Sequence, residues 1–126
     1  MISNGQIEEK YIIRNQLKNL LGKEVKVYID RQLGSTHPKH KNIIYPVNYG
    51  YIKEIKALDN DYQDVYLIGI DYPVETYNGK VYAIVEREND NEDKLIVVTD
   101  DKDYSIEEIK EKIDFQEKYF KYKIVK

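Results

Sequence analysis

Cysteine is absent from the 126-residue sequence, which excludes disulfides, thiolate nucleophiles and cysteine-ligated zinc. No run of about 18 apolar residues occurs, so the sequence offers no transmembrane helix. The opening stretch, Met1 to Arg14, carries Glu8 and Glu9 and lacks the apolar core of a secretory signal. A cytoplasmic protein without membrane contact is therefore the expectation. Long low-complexity tracts, internal repeats and linkers are also missing. With 41% hydrophobic and 34% charged residues, the chain suits one domain over residues 1–126 with a modest core. A basic excess is lacking too. The net charge is −3, with +3 carried by residues 1–63 and −6 by residues 64–126. A sequence-independent nucleic-acid binder needs a cationic surplus to displace counterions, so that class is disfavoured despite thirteen tyrosines able to stack on bases.

What is present is a run of short elements. Apolar residues at Ile7, Tyr11, Ile12, Leu17, Leu20 and Leu21 predict a first helix over residues 4–21, ended by Gly22. Glu24 to Ile29 alternates polar and apolar residues, as a half-buried strand does. Ile43 to Pro46, Val65 to Ile70, Lys80 to Arg87 and Lys94 to Thr99 read as further extended segments, with a tight turn at Asn78-Gly79. Ser105 and Glu108 form a capping box that opens a terminal helix. Its apolar face runs through Ile106, Ile109, Ile113 and Phe120, with Glu117 as the exception. Consecutive strands between two helices predict an α+β fold, a small antiparallel β-barrel with peripheral N- and C-terminal helices.

Two acidic turns stand out. Asp59, Asp61 and Asp64 lie in Leu58-Asp59-Asn60-Asp61-Tyr62-Gln63-Asp64-Val65, and a turn can aim such carboxylates at one hard divalent cation. An EF-hand is excluded, because Asp64 and Ile70 stand where that loop needs Gly and Glu. The second turn is Asp90-Asn91-Glu92-Asp93, followed by Lys94. Both also suit plain solvated turns, since Asp and Asn bond locally to the backbone. Asp100-Asp101-Lys102-Asp103 is of that plain kind, acidic residues ahead of a helix start.

Tyr45-Pro46-Val47-Asn48-Tyr49-Gly50-Tyr51-Ile52, followed closely by the Asp59–Asp64 signature, resembles the soluble family I inorganic pyrophosphatases. The resemblance runs over residues 25–120, through Glu92-Asp93-Lys94-Leu95 to Phe115-Gln116-Glu117-Lys118-Tyr119. It implies an OB-like barrel, Mg²⁺ dependence and hydrolysis of pyrophosphate or a related phosphoanhydride to phosphates. By position, Asp61 resembles the residue beside the attacking water, Asp59 and Asp64 signature metal ligands, and Asp90 and Asp93 the second acidic pair at shorter spacing. Lys94, Tyr49 and Tyr119 resemble phosphate-holding residues, and Arg31 the phosphate-binding arginine. Without the resemblance, Arg31 and Lys94 equally suit surface charges, and Tyr49 and Tyr119 packing aromatics.

The departures are specific. An early glutamate ligand and an early lysine of the family pattern have no match here, and residues 1–22 form a divergent helix. Phe120 stands where a phosphate-binding lysine usually follows Tyr119. A loop, His37-Pro38-Lys39-His40-Lys41-Asn42, precedes the Tyr-Pro motif. Its H-x-x-H pair suits a loop contact or a weak anion site better than a metal, and Lys39 or Lys41 could replace the absent lysine. The competing expectation is a non-catalytic module that binds a phosphorylated ligand or a protein. Family members commonly form symmetric oligomers, so a homo-oligomer is an allowed partner arrangement.

Overall fold

The computed structural model describes residues 4–126. Helix α1 spans Asn4–Leu20, and Gly22 follows at a positive φ of 83°, the left-handed exit expected of a helix-ending glycine. Five strands then build a barrel: β1 (Glu24–Arg31), β2 (Asn48–Lys56), β3 (Tyr62–Ile68), β4 (Thr76–Arg87) and β5 (Lys94–Val98). Helix α2 (Ile106–Glu117) carries the expected Ser105–Glu108 capping box, and a short β6 (Tyr122–Val125) pairs with β4. The sheet runs β1-β2-β3-β5-β4 and closes through β1 and β4. Every seam is antiparallel except β3 with β5, so the barrel is a mixed one of the expected OB-like kind.

Alternation along the strands separates two cores. Val65, Leu67, Leu95 and Val97 join Val25, Val27, Ile52, Val81 and Ile84 inside the barrel, where Leu17 of α1 packs on them. Their neighbours Tyr66, Ile68, Ile96 and Val98 face outward and are covered by Ile109 and Ile113 of α2. Strands β3 and β5 are therefore buried on both faces, which explains their nearly continuous apolar runs.

Two local expectations differ from the structure. Asn78-Gly79 is no turn; it lies within β4 and pairs with Lys26 and Val25 across the closing seam. Gly79 is needed there for room, because a Cβ would stand 2.6 Å from Val97 Cγ1 and from the Val98 carbonyl oxygen. The extended run at Ile43–Pro46 is a loop hairpin, not a barrel strand, joined by a single bridge between Thr36 and Ile44. The strand itself begins at Asn48. Among the described residues no helix is long and apolar enough to cross a membrane.

Candidate active site

Strand parity places the polar groups. Asp64 shares the outward face of Tyr66 and Ile68, Lys94 that of Ile96 and Val98, and Arg87 that of Val85. The parallel register pairs Val65 with Leu95, which sets the preceding residues, Asp64 and Lys94, side by side. The Lys94 ammonium donates to Asp64 Oδ2 at 2.6 Å and to Glu92 Oε2 at 3.3 Å, with only 4% of the side chain exposed. Burial pulls the Lys94 pKa down, but its neighbours, the Asp64 and Glu92 carboxylates among them, outweigh it and hold the ammonium charged above its ordinary range. Burial raises the neighbouring Tyr49 phenol, which therefore stays protonated.

Arg31, at the end of β1, pairs in register with Tyr49 and donates to the Tyr45 hydroxyl at 2.7 Å. From there a hydrogen-bonded chain crosses the outer core. The Tyr45 hydroxyl donates to Gln116 Oε1, Gln116 Nε2 to the Tyr66 hydroxyl, and Tyr66 to Glu117 at 2.6 Å. Glu117 in turn accepts two bonds from Arg87, whose Nη1 donates to Asp90. Glu117, the break in the apolar face of α2, is thus a buried counter-ion. Arg87 also packs on the Phe120 ring, 3.7 Å from its centre.

These groups line a cavity of about 660 Å³ walled by Arg31, Tyr49, Asp64, Lys94, Arg87, Glu92 and Tyr119, and on the loop side by His37, His40 and Asn42. The volume falls within the range of small-molecule sites. Arg31, Tyr49, Asp64, Lys94 and Tyr119, all expected from the sequence, meet here. The other expected residues do not line the cavity. Asp59 sits in the β2–β3 turn, accepts the Asp61 amide, and lies near the Glu92 carboxyl. The Asp59 carboxylate, with burial, raises the Glu92 carboxyl to about 7, and Asp59 itself is lowered by Glu92 and by the Asp61 amide. Asp61 is exposed on the same turn, beside Asn60 at a φ of 67°. Asp90 is held by Arg87, and Asp93 by Arg14 of α1 at 2.7 Å and by the Arg87 amide. Glu92 and Arg87 were not singled out from the sequence. For Glu92 the signal was its place two residues before Lys94; for Arg87 there was none beyond charge at a strand end.

The donor set bears on a metal. Among the described residues no three His, Asp or Glu side chains converge as a ready-made cage. Asp59 and Glu92 are neighbouring carboxyls, and Glu92 and Asp64 both reach the Lys94 ammonium. Mg²⁺ is commonly bound by one or two carboxylates with waters and substrate phosphate completing its shell. Asp59, Glu92 and Asp64 carry oxygen donors of that kind.

A family model for inorganic pyrophosphatase matches residues 9–124. The chain belongs to the inorganic pyrophosphatase family. Solved pyrophosphatases share its fold. The enzyme from Ehrlichia chaffeensis superposes with a TM-score of 0.61 at 19% identity, over 83% of this chain and 88% of that one. The Coxiella burnetii enzyme gives 0.58 at 18% identity, over 82% and 84%. The Thermus thermophilus enzyme gives 0.56 at 19%, over 82% and 81%. No curated protein matches the chain by sequence. Family and fold together support pyrophosphate hydrolysis as the general activity.

Proposed function

We propose that the cavity binds pyrophosphate and that the chain hydrolyses it to two phosphates with Mg²⁺. The observation that carries this reading is Lys94 between Asp64 and Glu92, in a cavity it shares with Arg31 and Tyr49. Arg31 and Lys94 supply positive charge to the phosphate oxygens, where charge gathers as the bridging P–O bond breaks. The protonated Tyr49 phenol donates to the same groups. Asp59, Glu92 and Asp64 would hold the metal, which lowers the pKa of a bound water and offsets phosphate charge. Asp61, exposed on the Asp59 turn rather than in the cavity wall, is the base that the family resemblance assigns. Asp90 acts from one step away, through Arg87, while Asp93 is held by Arg14 outside the cavity.

Phosphate release from pyrophosphate with Mg²⁺, compared with Asp61→Asn, tests this. Loss of about a hundredfold in the variant supports the assignment, and equal rates reject Asp61 as the base. A folded wild type that binds pyrophosphate without releasing phosphate favours a second reading, a non-catalytic phosphate-binding module. The internal pairing of Asp64 with Lys94, Asp93 with Arg14, and both Asp90 and Glu117 with Arg87 speaks for that alternative.

A further inference from the structure

We propose that His37 is a substrate-binding residue that donates a neutral Nε2–H bond to a phosphate oxygen in the cavity; this rests on the pyrophosphate reading above. His37 lines the same cavity as Arg31 and Lys94. Its Nδ1 accepts the backbone amides of Lys39 and His40 at 3.0 and 3.2 Å. A ring nitrogen that accepts carries no hydrogen, so the hydrogen of the neutral imidazole sits on Nε2. The tautomer is set by the loop itself.

The ring is also held in place. His37 lies parallel to Tyr45, with centres 6.1 Å apart and planes 11° from coplanar, and the Tyr45 hydroxyl accepts Arg31. The loop is a bonded hairpin in which the His37 amide donates to the Ile43 carbonyl and the Ile43 amide to the His40 carbonyl, each at 2.9 Å. A donor fixed before the ligand arrives loses little freedom on binding. Nearby Arg31 adds to a slight burial in disfavouring the imidazolium. The loop thus brings a neutral donor to the wall of a cavity whose cations include Arg31 and Lys94.

Two substitutions separate the donor from the loop's shape. In His37→Asn the amide oxygen replaces Nδ1 as acceptor for the turn, but nothing replaces Nε2–H. In His37→Gln the amide nitrogen reaches the Nε2 position. Calorimetric titration with sodium pyrophosphate in the presence of a chelator reads binding without turnover. The expected result is about tenfold weaker binding for His37→Asn, since hydrogen bonds to charged groups are worth that or more, and recovery to within about threefold for His37→Gln. Wild-type affinity in His37→Asn overturns the proposal and leaves only the turn-acceptor role of Nδ1. A loss in His37→Gln as large as in His37→Asn also overturns it, by assigning the effect to the ring stacked on Tyr45 rather than to the Nε2 donor. No binding by the wild type with the chelator, together with no phosphate release when Mg²⁺ replaces the chelator, overturns the pyrophosphate reading, and this inference with it.

Discussion

Glu117 accepts hydrogen bonds from both Nε and Nη2 of Arg87, at 2.9 and 2.6 Å, while itself fully excluded from solvent. Bidentate pairing of this kind is the strong form of an ion pair, and losing either partner strands the other charge in the core. Glu117→Ala should therefore cost about 3–5 kcal/mol of stability, read as a lower urea midpoint. Glu117→Gln keeps the shape and should cost less. A midpoint unchanged in Glu117→Ala would show the pair to be open to water.

Lys94 competes with any cation for Asp64. Lys94→Met should weaken pyrophosphate binding by about tenfold or more and strengthen Mg²⁺ binding, since it frees two carboxylates. Opposite signs in the two titrations are the expected outcome. Parallel losses would mean that the lysine only supports the fold.

The raised Glu92 carboxyl beside Asp59 gives stability a pH signature. Glu92 is raised to about 7 in the folded chain, so the folded state binds a proton that the unfolded glutamate has released. Stability from this group is full below the ordinary glutamate range and is lost as pH rises through about 7. Glu92→Gln should flatten the decline in urea midpoint between about pH 5 and about pH 8. An equal decline in the variant would place the titration elsewhere.

Gly50 sits where β2 pairs with β1, and a Cβ there would collide with the Tyr28 carbonyl oxygen. Backbone cannot yield as a side chain can. Gly50→Ala should cost about 3 kcal/mol or prevent folding, with thermal melting as the measure. Near-native melting would require the seam to have slack.

The barrel was legible because its strands alternate or run apolar, and the helices because both have end signals, Gly22 and the Ser105–Glu108 box. Asn78-Gly79 misled, since the same dipeptide that makes a tight turn also gives a strand the room to bend past Val97. Strand β6 was hidden behind the apolar pattern of α2, read through to Phe120. In the site, Arg31, Tyr49, Asp64, Lys94 and Tyr119 were readable because a motif keeps its order along the chain. Arg87 and Glu117 were not, because their meaning is a contact between β4 and α2 that no local spacing encodes. Glu117 showed only as a break in an apolar stripe, and the structure gives that break its cause.

The closing seam of the barrel joins Glu24–Tyr28 to Thr76–Lys80, segments about fifty residues apart in the chain. Until β4 is placed, β5, which carries Lys94 at its start, lacks one of its two neighbours. Long-range pairings form late because loop entropy is lost before contacts reward it. During refolding, recovery of ligand binding should therefore track the slowest phase, well after helix signal has returned. An architecture that draws its binding groups from β1, β3, β5 and the loop between β1 and β2 makes competence a property of the completed barrel.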